Sequence, residues 1–382
     1  MEIKKISIAK KLIIALSVMF VLFLSIRPGL PKMFCLWSEA WSKTESSSRL
    51  SGEQQQMRAE KLLCFQAGKS EFPRIKILNK QKYIDRSVRL PGNSETIKLN
   101  NNSDPIHIFK SLGDCTYDED RTLMLDANLQ DGTPIQLYGV LDGHGGDEAV
   151  KYAYTHLPKI LLADLNTKSL GETEIYQVIT EAFKKVDDGF YAENKQSGAT
   201  AAIALRINGN LYVANIGDSR IVILEKDGSF KQCTEDAKLN TNNRFVQEVQ
   251  ERAKANEITR TPIKMDKTGS LRLTNKSGEA TLNMTSSFGD FECHPLNTAV
   301  PKISGPYEIN PGDCLLLASD GLFDVVTSKQ VNEIYSENKG SLARLPEVLG
   351  RIAMGYFTYP DYLANKITGC ADNTTVAIVE FN

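Results

Sequence analysis

The sequence predicts an α+β fold, two sheets flanked by helices, and three patterns carry that expectation. Six short runs rich in β-branched residues read as strands: 134-PIQLYGVLD-142, 199-ATAAIALRI-207, 210-NLYVANIGD-218, 220-RIVILEK-226, 313-DCLLLASD-320 and 374-TTVAIVEF-381. Asn208-Gly209 separates two of them. Both central positions of a type I′ turn need positive φ, so that pair of strands forms a hairpin. Ile175, Val178, Ile179, Ala182, Phe183, Val186 and Phe190 recur at helical spacing and make a single apolar stripe. Strands grouped by hairpins, with helices between the groups, pack as layers.

Lys226-Asp227-Gly228 closes the strand after the hairpin. The stretch from about 236 to 280 is polar and irregular, which reads as a surface excursion or flap. Dense globular patterning runs from 104 to 382. Before it, 36–103 reads as a linker or loosely defined extension, rich in Ser, Gln, Glu and Lys at its start and closed by Asn100-Asn101-Asn102-Ser103-Asp104-Pro105.

Residues 1–35 differ in kind. Lys4, Lys5, Lys10 and Lys11 precede residues 12–26, a run without a charge that Arg27-Pro28-Gly29 ends. Its length falls between a signal-peptide core and a spanning helix, and no A-x-A-like cleavage site follows. A membrane anchor, a cleaved signal and a soluble apolar helix all stay open. The expectation is association with a membrane through this one segment, and otherwise a cytoplasmic protein. The lysine cluster favours a cytoplasmic N-terminus, while Arg27, Lys32 and Lys43 weaken that preference.

Bulk composition narrows the function classes. A net charge of −2 over 382 residues leaves no basic footprint for nucleic acid. Seven cysteines with no C-x-x-C pair argue against a disulfide framework or a zinc site. Nothing in the chain calls for more than a monomer.

The chemistry concentrates where strands stop. The apolar run 137-LYGVL-141 ends on Asp142, followed by Gly143-His144-Gly145-Gly146. Another ends on Gly217-Asp218, a third on Asp320-Gly321, and Ala371-Asp372-Asn373 stands just before the last strand. Glu119 and Asp120, in 117-YDEDR-121, precede the run 122–125. A single Asp-Gly at a strand end is more often a turn than a site. Five such points in one domain need another reason, because carboxylates that converge at the edge of a core repel unless a cation lies among them. All-oxygen donors select a hard divalent ion, Mg²⁺ or Mn²⁺, over zinc.

With these residues set out, the stretch 104–382 resembles the metal-dependent protein serine/threonine phosphatases of type 2C. The resemblance rests on the ordered blocks YDEDR, YGVLDGHGGDEA, SGATAAIAL, LYVANIGDSR, SSFGDF, LLLASDGLFDVV and ADNTTVAIVEF. It implies a four-layer α/β/β/α sandwich of two antiparallel sheets flanked by helices, with a binuclear metal site at one end. It also implies phosphoprotein substrates, hydrolysed at phosphoserine and phosphothreonine by a water that the two cations activate. By position, Asp142 would bridge the two ions, with Asp320 and Asp372 completing one site and Glu119 and the Gly143 carbonyl belonging to the other. Asp218, beside Asp320, would help hold a weaker third ion. His144 would be the general acid, and Asp120 and Asp290 would support the site from outside the ligand set. Thr200 would pack or pair strands.

The sequence also departs from the family pattern. The arginine that clamps the substrate phosphate is replaced by Cys115, the family's Asp-His-Lys-Pro reads Asp236-Ala237-Lys238-Leu239, and a second arginine is replaced within Thr285-Ser286-Ser287. Lys110, Arg121 and Arg272 are the candidate substitutes for the clamp. The vacancy motivates two rival readings. One is a pseudophosphatase acting as a membrane-tethered binding module. The other is a cysteine-nucleophile phosphatase built on Cys115, which lacks the Gly-rich cradle and nearby arginine that such chemistry needs.

Overall fold

The structure, a computed structural model, describes residues 93–99, 104–354 except positions 114, 169, 194 and 241, and 372–382. The apolar segment 12–26 and most of 36–103 lie outside the described residues. The first strands are β1 (Asn93–Ile97), β2 (Ile106–Ser111), β3 (Asp120–Asn128) and β4 (Pro134–His144). Helices α1 (Glu148–Leu165) and α2 (Glu172–Ala192) come next, then β5 (Gly198–Ala199), β6 (Ala201–Ile207), β7 (Asn210–Ile216), β8 (Arg220–Leu224) and β9 (Phe230–Gln232). An excursion follows: α3 (Asn243–Ala255), β10 (Ile263–Met265), β11 (Leu271–Thr274), β12 (Ala280–Leu282) and β13 (Phe288–Gly289). The chain closes with β14 (Lys302–Glu308), β15 (Cys314–Ala318), the single turn α4 (Asp320–Phe323), α5 (Ser328–Asn338), α6 (Leu345–Ala353) and β16 (Thr374–Glu380).

All pairings are antiparallel. One sheet runs β13-β5-β4-β6-β7-β14 with β3 on β4, and the other runs β1-β2-β16-β15-β8-β9. Strand β1, which precedes residue 104, pairs along its whole length with β2. The period of two along each strand divides its side chains between two cores. Tyr138 and Val140 of β4, Ala202 and Ala204 of β6, and Leu315 and Leu317 of β15 fill the space between the sheets. Their neighbours Leu137 and Leu141, with Ile203 and Leu205, face α1 and α2 instead. Leu316 and Ala318, with Val376 and Ile378, face α5 and α6. Four layers result, α/β/β/α, because each sheet carries an apolar face on both sides.

The local predictions rest on the same physics. Asn208 and Gly209 take φ values of 51° and 78°, and the hairpin they close joins β6 to β7 with Ile207 opposite Asn210. The stripe on α2 is buried from Ile175 to Phe190, with Phe183 packed against Phe288. Burying each such side chain contributes about 1.5–3 kcal/mol.

The region from 236 to 280 is more ordered than its polarity suggests. Helix α3 buries only Phe245, Val249 and Ala253, a stripe one residue wide. It covers a three-stranded sheet of β10, β11 and β12, and a small core of its own forms around Leu273, Leu282 and Leu296. Strands of three or four residues are too short for alternation to reveal them.

Candidate active site

Antiparallel register gathers the acids. Asp120 opens β3 opposite Asp142 near the end of β4. The end of β7 lies against the start of β6, Ile216 opposite Ala201, which leaves Asp218 on the same rim. Ala318 at the end of β15 pairs with Val376 near the start of β16, so Asp320 and Asp372 flank one edge. Each expected acid therefore reaches the same end of the sandwich. Thr200 fixes the end of β4: its N–H donates to the Asp142 carbonyl at 2.8 Å, and its Oγ1 accepts from the Asp142 N–H at 3.3 Å.

Asp142 is where the charges meet. Burial, then the carboxylates of Asp120, Asp320, Asp218 and Asp372, push its carboxyl well above the ordinary range. Asp320 is pushed well up too, by burial first and then by Asp218, Asp324 and Asp372, against the opposing pull of Lys238. Glu119 is raised by burial, although the Gly146 N–H donates to its Oε1 at 2.8 Å and offsets part of the shift. Its own N–H donates to Asn373 Oδ1 at 2.8 Å, which ties β3 to the start of β16, and the Gly143 N–H donates to its carbonyl at 3.1 Å. Asp120, pushed up to about 6 by burial, accepts from Ser319 Oγ and serves the joint between strands.

A cation of the chain's own reaches into this cluster. Lys238 Nζ lies 3.0 Å from Asp218, 3.2 Å from Asp320 and 2.7 Å from Asp324. Burial alone would lower its pKa, but the three carboxylates raise it, so the ammonium is charged. Asp236 anchors the loop that delivers it by taking both arms of Arg220, at 2.9 and 2.6 Å. Sequence reasoning treated Lys238 only as part of a departure and passed over Asp324. The one signal for Asp324 was its position one helical turn after Asp320.

His144 ends β4 with its Nε2 2.8 Å from Asp290 Oδ2. Burial opposes its charge, but the bond to Asp290 and the fields of Asp290, Asp218 and Glu119 outweigh burial and raise its pKa.

Cys115 lies on the rim, exposed, with its thiol 3.4 Å from Asp372 Oδ1. Partial burial and that carboxylate push the thiol up to about 11, the opposite direction from the activated thiolate that the cysteine-nucleophile reading requires. The three candidate clamps are all engaged elsewhere. Lys110 donates to Asp118 Oδ2 and the Asp120 carbonyl, Arg121 to the carbonyls of Asp118 and Asp120, and Arg272 to Asp266.

The profile of the Protein phosphatase 2C family matches residues 116–356. The chain belongs to the protein phosphatase 2C family. It is 31% identical over 262 residues to the rice (Oryza sativa subsp. japonica) "Probable protein phosphatase 2C member 13, mitochondrial", covering 66% of this chain and 61% of that one. It is 27% identical to the bovine (Bos taurus) "Protein phosphatase 1L", covering 72% of each. The match therefore spans about three fifths of the rice relative's length. Among solved structures, a serine-threonine phosphatase 2C from Toxoplasma gondii superposes with a TM-score of 0.61 at 16% identity, covering 76% of this chain and 99% of that one. A C. elegans sex-determining protein superposes at 0.57 and 21% identity, covering 73% and 65%. Both show the fold.

Protein phosphatase 2C enzymes are metal-dependent, and this rim fits a hard divalent ion by charge and donor type. Asp142 carries more negative neighbours than its surroundings neutralise. A buried oxygen of Asp218, Oδ1, has no hydrogen-bond donor. Among the described residues, no three His, Cys, Asp or Glu side chains are already drawn together as a cage. Internal donors hold several of these oxygens instead: Gly146 on Glu119, Asn373 and Cys115 on Asp372, and Lys238 on Asp218 and Asp320.

Proposed function

We propose that this protein phosphatase 2C member is an Mg²⁺- or Mn²⁺-dependent enzyme that hydrolyses phosphoserine and phosphothreonine in proteins. One observation carries the reading: Asp142, near the end of β4, is faced by the carboxylates of Asp120, Asp320, Asp218 and Asp372. A scaffold gains nothing from such repulsion, whereas a site for divalent cations requires it.

Asp142, Asp320 and Asp372 would hold one ion, and Asp142, Glu119 and the Gly143 carbonyl a second. Asp218 with Asp320 would hold a weaker third in place of the Lys238 ammonium that spans them. Bound there, the ions would supply a water acidified for attack on phosphorus and counter-charge for the phosphoryl oxygens. The protein does the rest. The strand ends hold the acids rigidly in register, and Lys238 neutralises Asp218 and Asp320. His144 keeps a proton for the leaving serine or threonine oxygen, help worth ~10²–10⁴-fold. With Cys115 in place of the clamp and the nearby cations engaged, phosphate is held by fewer fixed charges, so the cost falls on substrate affinity.

The catalytic domain is the unit from 104 to 382, with β1 as an added edge strand. Residues 12–26 would tether it to a membrane if they serve as an anchor, and would then confine it to phosphoproteins within reach of the linker. No helix among the described residues is long and apolar enough to cross a membrane, so the tether rests on the sequence alone. The test is turnover of a phosphothreonine peptide with Mn²⁺, then with EDTA added. EDTA-sensitive hydrolysis supports the assignment; no hydrolysis at millimolar metal overturns it.

A further inference from the structure

We propose that Asp290 is the residue that positions His144, gripping its ring at Nε2 and leaving Nδ1 as the nitrogen that serves the leaving oxygen. This deepens the phosphatase reading and rests on it. The two residues are 146 apart in sequence, yet Nε2 and Oδ2 stand 2.8 Å apart.

Asp290 has φ 52°, a left-handed conformation uncommon outside glycine that Asp and Asn accept more readily than other residues. Such a conformation persists only where the surroundings over-determine it. Here they do. The Gly289 N–H donates to Asp187 Oδ1 of α2 at 2.8 Å, and the Cys293 N–H donates to the Asp290 carbonyl at 2.8 Å. Ser287 Oγ donates to the same Oδ2 that His144 uses, and Asn297 Nδ2 holds that hydroxyl at 2.8 Å.

A second strand leaves room for the pair. A Cβ at Gly198 would stand 2.2 Å from His144 Nε2 and 2.3 Å from Asp290 Oδ2. Any side chain there would displace one partner or the other. Three separate segments of chain therefore converge on one contact, which a casual surface ion pair does not require.

The contact also selects an atom. A carboxylate oxygen that accepts from Ser287 and from the ring requires Nε2 to carry its hydrogen. When the ring carries a second proton, that proton sits on Nδ1, the nitrogen that Asp290 leaves open. As the phosphorus–oxygen bond breaks, its electron pair goes to the serine or threonine oxygen, which takes the Nδ1 proton. The ring is left neutral with Nε2–H still donating to Asp290. A later proton from solvent resets it.

The experiment compares Asp290→Ala, Asp290→Asn, His144→Ala and the double variant His144→Ala/Asp290→Ala on two substrates with Mn²⁺ present. A phosphothreonine peptide needs its leaving oxygen protonated, whereas p-nitrophenyl phosphate releases a stable anion. Asp290→Ala is expected to lower kcat on the peptide by about 10²-fold. Its loss on p-nitrophenyl phosphate is expected to be at least tenfold smaller, and KM for the peptide is expected to move little. Asp290→Asn, which tolerates the left-handed backbone and still accepts from Nε2, is expected to retain more activity than Asp290→Ala. The double variant is expected to be no worse than His144→Ala. Equal losses on both substrates, or losses that multiply in the double variant, would overturn the proposal. If Asp290→Ala does not fold, the substrate contrast in Asp290→Asn decides the matter. A wild-type protein that turns over neither substrate would remove the phosphatase reading itself, whereas an active enzyme without the contrast removes only this role for Asp290.

Discussion

Lys238→Met tests whether the rim is held together by charge. The ammonium stands 3.0 Å from Asp218 and 3.2 Å from Asp320, with side chains 1% and 20% exposed. At an effective dielectric of about 20, each pair is worth roughly 5 kcal/mol of Coulomb energy before desolvation. The third pair, to Asp324, counts for little because that carboxylate is 62% exposed. Desolvating the ammonium offsets much of the gain, but removing one partner of a buried pair leaves uncompensated charge and costs about 3–5 kcal/mol. Urea unfolding in EDTA should show that loss. Added Mg²⁺ should then stabilise the variant more than the wild type, because an ion can take the place the ammonium vacates, with about 1.4 kcal/mol per tenfold rise in free metal above its dissociation constant. A variant as stable as the wild type in EDTA, or one with the same response to Mg²⁺, would refute the reasoning.

Three further outcomes follow from the same geometry. Asp187, which burial pushes up to about 7, holds extra protons in the folded state between about pH 4 and pH 7. Its contribution is present at low pH and lost as pH rises through about 7, so Asp187→Asn should stabilise the protein at pH 8 by on the order of 2–4 kcal/mol and by little at pH 4, measured by denaturant unfolding. Gly198→Ala should cut kcat on a phosphothreonine peptide by about 10²-fold while Mn²⁺ binding by calorimetry is unchanged. An active Gly198→Ala would show that the crowding there is harmless. Cys115→Arg should lower KM for the same peptide by about tenfold, the worth of one charge-assisted pair, with little change in kcat. An unchanged KM would mean the vacancy is filled by another route.

Much of the architecture was legible because its signals are local. The run from Pro134 to Asp142 alternates between two cores, Asn208-Gly209 can close only a tight hairpin, and Ile175 to Phe190 repeat at helical period. The excursion at about 236–280 was legible, but its helix and strands were not, because the helix buries only three residues and the strands are too short to alternate. The acids were legible for a different reason: each stands at one end of an apolar run, and antiparallel register then sends those ends to one rim. What stayed hidden depends on orientation across long separations. No local pattern tells Lys238 to turn inward, since Arg220 and Asp236 set its loop. The contact of His144 with Asp290 needs a left-handed residue and a glycine notch on another strand.

The most direct test of the whole account is calorimetric titration of Mn²⁺ into the wild-type protein and into Asp142→Asn. Divalent ions gathered by carboxylates at this rim should bind the wild type with at least two per chain, and the variant should lose at least one of them. Identical isotherms for the two proteins, or no binding to either at millimolar metal, would contradict it.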